Sequence, residues 1–333
     1  GGRAPLAFVG QPPHRTKHLG FRRPVVAVLD MGCGDHDWLP AHGGIVNRAP
    51  TLDGANIGLP GPGFEVPFTG GRLDGTLHWA FGHGTFNCGL IRQICPDANL
   101  LSVRAVPADG VVDEWTLVRA LEGIHELARR HLAGQPDGHP VDVVSLSLGY
   151  YHEQLTDAIV GNAIRAAIDR LSQVGVAVVA SAGNDATVRE LLPAAWSVHP
   201  STADAVPLVS VGALNPDGSV ALFSNGGPWV RHWEPGVAVI STMPHYDGGA
   251  TASAEATDPS GQRRRSFDPD SYQGFASWSG TSFAAPVLAG RLAQNLIEES
   301  DSCGGTSLND LGEAAALKRG RAAVKNCVPY LNG

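Results

Sequence analysis

Three residues of this 333-residue chain have the types and settings that nucleophilic catalysis needs. Asp30 follows the apolar run Val25-Val26-Ala27-Val28-Leu29, which reads as a strand buried on both faces. In an open α/β sheet, ligands sit beyond the carboxyl ends of the strands, so the carboxylate stands where chemistry is done. His83 lies in Gly82-His83-Gly84-Thr85, ahead of an apolar-periodic helix, and its flanking glycines admit backbone and substrate close to the imidazole. Ser282 lies in Ser279-Gly280-Thr281-Ser282-Phe283-Ala284-Ala285-Pro286 and opens a helix whose free N–H groups and dipole favour negative charge. That setting suits an alkoxide-like nucleophile and a developing oxyanion. Each residue alone has a plainer explanation: a turn cap for Asp30, a helix cap for His83, an N-cap for Ser282. Together they make a carboxylate that orients an imidazole that activates a hydroxyl, the set for acyl transfer.

The elements that must position these groups alternate along the chain. Residues 83–95 read as a helix with Phe86, Leu90, Ile91 and Ile94 on one face, and Leu100–Val106 as a strand. Asp113 is the expected N-cap of a helix to about His131, with Trp115, Val118, Leu121, Leu127 and Leu132 near a period of 3.6. Val141–Leu148 and Val176–Ala180 read as strands around a helix at Leu155–Val174. Leu208–Val211 and Val237–Ile240 add two strands, and Phe283–Ile297 a helix. Such alternation predicts an α/β fold, a mostly parallel central sheet with helices on both faces. Two stretches interrupt it: a Gly/Pro-rich surface excursion at about 41–75 and a polar segment at 245–274, expected as a loop. The latter holds Arg263-Arg264-Arg265, best read as solvated.

The order Asp, His, Ser is the one subtilisin uses for this geometry, and the chain resembles the subtilisin-like (subtilase) serine proteases. Three stretches look like that family's signature blocks: Val26-Ala27-Val28-Leu29-Asp30, Gly82-His83-Gly84-Thr85 and Gly280-Thr281-Ser282-Phe283-Ala284-Ala285-Pro286. Val209-Ser210-Val211-Gly212-Ala213, Phe223-Ser224-Asn225 and Glu234-Pro235-Gly236-Val237 match in order as well. The resemblance implies a serine endopeptidase with a polypeptide substrate, and leaves room for a pro-segment or inhibitor as a further partner. It implies that Asn184, in Ser181-Ala182-Gly183-Asn184, donates to the oxyanion beside the backbone N–H of Ser282. It also implies that Ser147, Leu148 and Gly149 pair with substrate as an added strand. The slot for the P1 side chain then lies between that segment and Ala182-Gly183, with Leu191 in its wall and Asp185 at its rim. The implied peptidase domain covers 24–298, preceded by an arm at 1–23 and followed by an extension at 299–333 packed on the same domain.

Some residues depart from the family pattern. Met31 stands where Ser or Thr usually follows the catalytic Asp, which predicts one hydrogen bond fewer to Asp30. Phe86 stands where His is common. The 52 residues between Asp30 and His83 exceed the spacing of compact members and place the 41–75 excursion at the active-site rim. Met31 alone favours the alternative of a catalytically weak binding protein. An α/β-hydrolase esterase is disfavoured because Gly280-Thr281-Ser282-Phe283-Ala284 lacks the second Gly of a nucleophile elbow. A metallopeptidase is disfavoured because neither His125-Glu126 nor His152-Glu153 continues to a second His.

The net charge of −8 argues against nucleic acid as main partner, and no apolar run approaches 18 residues. The chain opens Gly1-Gly2-Arg3 with no signal peptide, so secreted and cytoplasmic bacterial settings both stay open. Of five cysteines, Cys303 and Cys327 are the candidate disulfide, and Cys33, Cys88 and Cys95 read as buried thiols. No spacing suggests zinc. The family often binds calcium, but no ligand set can be mapped; no cofactor is assigned.

Overall fold

The computed structural model describes residues 2–67, 77–153, 157–199, 202–246, 255–265 and 271–329. Among them seven strands form one sheet: β1 (Val25–Asp30), β2 (Val46–Asn47), β3 (Asn99–Arg104), β4 (Val143–Leu146), β5 (Ala177–Ser181), β6 (Val209–Leu214) and β7 (His232–Pro235). Their spatial order is β2-β3-β1-β4-β5-β6-β7, and every pairing is parallel. Five helices accompany them: α1 (His83–Ile94), α2 (Glu114–Leu132), α3 (Asp157–Gln173), α4 (Thr281–Asp301) and α5 (Glu313–Cys327).

The side-chain period of two explains the layers. Val25, Ala27 and Leu29 pack with Leu121 of α2 and Ile168 of α3. Val26 and Val28 face the other way, onto Ile91 of α1 and Leu288 of α4. An α/β sheet covered on both faces is therefore present, as the apolar runs predict. The α2 N-cap is also as expected, with Asp113 Oδ2 accepting from the Thr116 N–H at 2.9 Å.

The topology sets where a site can form. After β1 the chain builds β2 and β3 on one side, then crosses through α2 to β4 on the other and continues outward. The connections leaving β1 and β4 therefore diverge and open a crevice at the carboxyl ends of these two strands.

Several expectations need correction. Val239–Thr242 belongs to a separate antiparallel sheet with Phe275–Trp278 and Ala4–Leu6, so the arm at 1–23 contributes a strand. The seventh strand of the main sheet is His232-Trp233-Glu234-Pro235, an edge strand whose composition does not read as one; its Pro is tolerated at the edge. The polar segment contains a hairpin pairing Glu255–Thr257 with Arg263–Arg265, and Arg264 pairs with Asp258 at 3.4 Å; 247–254 and 266–270 lie outside the described residues. The 41–75 excursion contributes the buried residues Val46, Arg48, Ile57 and Glu65, with 68–76 outside the described residues. Helix α3 matches the expected 155–174 segment, of which 155 and 156 are likewise outside the described residues.

All five cysteines are free thiols, so the Cys303–Cys327 disulfide is not formed. The two thiols sit in different surroundings: Cys327, on α5, is half-buried against the core, whereas Cys303 is exposed beyond Asp301 at the end of α4.

Candidate active site

The base half of the site is built by β1 and α1. Asp30 ends β1 with a carboxylate that is 3% exposed. His83 is the first residue of α1, and its Nδ1 lies 2.8 Å from Asp30 Oδ1 and 2.9 Å from Oδ2. Gly84 makes this approach possible, since a Cβ there would lie 3.2 Å from Asp30 Cβ and would collide with the Gly32 carbonyl. The His83 ring packs on Trp278 (5.8 Å between centroids) and Phe283 (5.4 Å), and Phe86 lies beneath these at 4.6 Å from Phe283. The residue that departs from the family pattern at position 86 thus serves as an aromatic floor.

Two residues missed by the sequence reading complete this half. Asn87 donates from Nδ2 to Asp30 Oδ2 at 2.8 Å, and the Met31 N–H donates to Oδ1 at 2.8 Å. The predicted loss of a hydrogen bond at Met31 is therefore offset from α1. The spacing His83 to Asn87 was the available signal, because residues i and i+4 share a helix face. Glu65, from the 41–75 excursion, accepts from the Thr85 N–H (3.1 Å) and Oγ1 (2.6 Å) at the start of α1. It caps the free N–H groups there, where Gly82 offers no side-chain cap. No local pattern around Glu65 announces this tertiary role.

The electrostatics follow. Burial alone lowers the His83 pKa, but attraction to Asp30, its hydrogen bond and the charge of Glu65 outweigh it, so the imidazolium is favoured overall. Burial pushes the Glu65 carboxyl up to about 7; hydrogen bonds from Thr85 oppose this and repulsion from Asp30 adds to it.

The nucleophile half is built by β4, β5 and α4. Ser282 is the second residue of α4, so its N–H has no carbonyl four residues back within the helix. Pro286, four residues on, has no N–H to offer the Ser282 carbonyl. Ser147 Oγ takes that place, donating to Ser282 O at 2.7 Å, while Ser282 Oγ lies 3.5 Å from Ser147 O. Asn184 follows β5, and its Oδ1 accepts from Thr281 N at 2.8 Å and Thr281 Oγ1 at 3.0 Å. With Oδ1 so engaged, Nδ2 is the free donor of this exposed amide.

The two halves face one cleft of about 520 Å3 at the carboxyl edge of the sheet, lined by Asp30, His83, Ser282, Asn184 and Ser147–Gly149. Gly183, Asp185 and Leu191 line it too, but Ala182 does not. Ala182 is buried in the core, with its N–H donating to Val211 O and its carbonyl accepting from Asn225 Nδ2, both at 2.9 Å. Its N–H is thereby committed within the protein. Leu191 reaches the cleft because Tyr150 and Leu192 exchange backbone hydrogen bonds of 2.8 and 2.9 Å. A Cβ on Gly149 or Gly183 would lie 2.5 or 2.8 Å from Leu191 Cδ2, so Leu191 fills the slot between those glycines. Asp185 is held by the Tyr151 hydroxyl at 2.7 Å, which itself accepts from Asn225 Nδ2 at 2.8 Å. Trp79 and Val111, both exposed, add an apolar rim that the sequence reading did not anticipate.

A second cavity, about 460 Å3, opens near the amino ends of β6 and β7, between α3 and α5. There Ser197 Oγ is tied to the Trp229 carbonyl at 2.7 Å. Among the described residues no three His, Cys, Asp or Glu side chains are grouped to hold a metal. No described helix is long and apolar enough to cross a membrane.

Fold and cleft together define a doubly wound α/β protein with an Asp–His pair and a helix-borne serine at its switch point. The chain belongs to the Subtilase family, whose model matches residues 22–326. It is 27% identical over 304 residues to the Extracellular basic protease of Dichelobacter nodosus, covering 85% of this chain and 44% of that protein. It is 27% identical over 322 residues to Mycosin-4 of Mycobacterium tuberculosis, covering 87% and 58%. The chain thus spans about half the length of these relatives (44% and 58%). A cold adapted subtilisin-like serine proteinase of known structure superposes with a TM-score of 0.55 at 20% identity, over 92% of this chain and 85% of that one. A lanthipeptide protease gives 0.55 at 20% identity, over 84% and 75%. At such identity the likeness is one of fold.

Proposed function

We propose that this protein is a serine endopeptidase acting through an acyl-enzyme, with Ser282 as nucleophile, His83 as general base and acid, and Asp30 as its orienting carboxylate. One observation carries the reading: His83 Nδ1 is engaged by Asp30 at 2.8 Å, which leaves Nε2 as the working nitrogen in the cleft that Ser282 lines. Ser282 Oγ bonds to the scissile carbonyl carbon as its proton passes to His83 Nε2. The carbonyl oxygen becomes an oxyanion, which takes hydrogen bonds from Asn184 Nδ2 and the Ser282 N–H. Collapse breaks the C–N bond, and His83 gives the proton to the leaving amine. Water repeats the sequence and frees the acid and Ser282.

In this reading Ser147, Leu148 and Gly149 on one side and Gly183 on the other flank the substrate backbone. Leu191 shortens the slot between them, which favours medium apolar P1 side chains such as Leu or Met over Phe. The Asp185 charge adds little for Lys or Arg, because it is exposed and screened. Residues 24–298 carry the reaction; of the flanking residues, Ala4–Leu6 pair with Phe275–Ser277 and α5 packs on α4. Against a binding-only protein stands the side-chain donor that Asp30 keeps through Asn87. A fluorophosphonate probe should label the wild type and leave Ser282→Ala unlabelled; a folded wild type that resists labelling and cleaves no peptide overturns the proposal.

A further inference from the structure

We infer that Asn87 is the positioning residue of the Asp30–His83 pair, taking over from α1 the hydrogen bond that a hydroxyl at position 31 would give. The inference rests on the Asp30–His83–Ser282 reading above.

The geometry is specific. Asn87 is fully buried and one helical turn beyond His83, so both project toward the end of β1. Its Nδ2 is 2.8 Å from Asp30 Oδ2 and 3.4 Å from His83 Nδ1. The amide orientation is dictated by chemistry. Turned over, the amide would set its carbonyl oxygen against a carboxylate oxygen, two acceptors facing each other. In the orientation present, Asn87 Oδ1 is buried without a partner. A buried unpaired carbonyl lowers stability, and an apolar residue of similar size would avoid it. What an apolar residue cannot do is donate to Asp30.

The consequence for His83 is geometric. Asp30 Oδ1 is held by the Met31 N–H and Oδ2 by Asn87, so the carboxylate plane is pinned from both ends. A pinned carboxylate keeps the Nδ1–H tautomer and aims Nε2 into the cleft. Asn87 does not line the cleft, so it has no contact through which to bind substrate. Met31, relieved of the hydrogen-bonding role, is buried with Ala80 and Val106 at the cleft wall.

The other titratable groups facing the pair are Glu65 from the excursion before α1, Cys33 from the turn after β1 and Cys88 on α1. The Cys33 hydrogen bond and burial keep the Cys88 thiol protonated. Loss of the Asn87 donor leaves the Asp30 charge less compensated, so the imidazolium is favoured further. The acidic limb of kcat/KM then moves to higher pH.

The test is a double-mutant cycle on the full chain with a peptide substrate. Asn87→Ala should lower kcat about 10-fold or more with KM within about 2-fold, and shift the limb upward. In a Met31→Ser background, where a hydroxyl can reach Asp30, Asn87→Ala should cost several-fold less than in wild type. If Asn87→Ala does not fold, Asn87→Leu replaces it, which keeps the volume and lacks the donor, and it should show the same loss and the same upward shift. Equal losses in both backgrounds with an unmoved limb, or no loss in kcat, would overturn the inference. Fluorophosphonate labelling of wild-type Ser282 separates the two levels. An unlabelled wild type removes the underlying reading, whereas a labelled wild type with a flat cycle removes only Asn87.

Discussion

The Asp30–His83 half and the Ser282 half of the cleft, base and nucleophile in the proposed reaction, are held by different physics. Around Asp30 and His83 the half-buried imidazole is backed by a buried polar cluster, the carboxylates of Asp30 and Glu65 and the amide of Asn87. Around Ser282 the groups are neutral and open to the cleft: a hydroxyl, an amide and the Ser282 N–H at a helix start. The comparison teaches that burial tunes proton affinity where a proton must be exchanged. Exposed dipoles wait where charge must appear and vanish. A base in water would lose its bias toward Asp30 to screening. A buried nucleophile would have no substrate.

The comparison breaks most sharply at Ser282. Ser282→Ala should lower kcat for peptide hydrolysis by about 10⁶-fold, the magnitude characteristic of subtilisin itself, with the thermal melt unchanged. Retention of more than a few per cent of activity would place the nucleophile elsewhere. Asn184→Ala probes the neutral half more gently. It removes one donor to the oxyanion, with an expected loss of about 10²–10³ in kcat at nearly constant KM, again subtilisin's magnitude. An effect confined to KM would make Asn184 a binding residue only.

Leu191→Gly tests the slot rather than the chemistry. It should raise kcat/KM for Phe relative to Leu at P1 by about 10-fold or more, since pocket volume of this kind is worth roughly 1–3 kcal/mol. An unchanged Phe/Leu ratio would mean that Leu191 walls off something other than the P1 slot.

Two pH measurements examine the charged half. His83 acts as a base only when neutral, and its pKa is raised above 6.5, so kcat/KM should climb with pH through a midpoint above that value. Flat activity from pH 5 to 8 contradicts a His base. Glu65→Gln removes a charge that favours the imidazolium and should move the midpoint down. It also bears on stability. The folded Glu65 pKa, about 7, lies above the ordinary 4.5, so its contribution is present below pH 4.5 and is lost as pH rises through 7. At 1.36 kcal/mol per pH unit, the rise corresponds to about 3 kcal/mol. The melting temperature of Glu65→Gln should gain on wild type between pH 4.5 and 7; parallel curves would show that Glu65 is ionised throughout.

The same divide governed what could be read from sequence. Strand β1 and helices α1, α2 and α4 announce themselves, because an all-apolar run or a 3.6 period is local information. Ser282, Asn184 and Ser147 were picked out by the short motifs that resemble the family's, although the bonds that hold them run between segments far apart in the chain. Glu65 was not legible: a carboxylate among Gly, Pro and Phe residues becomes a helix cap only when the chain folds back on α1. Asn87 was half legible, since its spacing from His83 was visible but not the approach of Asp30. Strand β7 was missed because His, Trp, Glu and Pro at a sheet edge carry no alternation.

The missing N–H of Pro286 has a last consequence. It leaves the Ser282 carbonyl to the hydroxyl of Ser147, the residue that leads into the substrate-facing segment. In the proposed reaction, nucleophile and docking edge are thereby indexed to each other, like a blade bolted to its own ruler. For a peptide bound as an added strand, a slip of one residue turns every side chain to the opposite face. The residue carried past the blade would then point away from Leu191. A single shared hydroxyl thus links which bond is cut to which side chain is recognised.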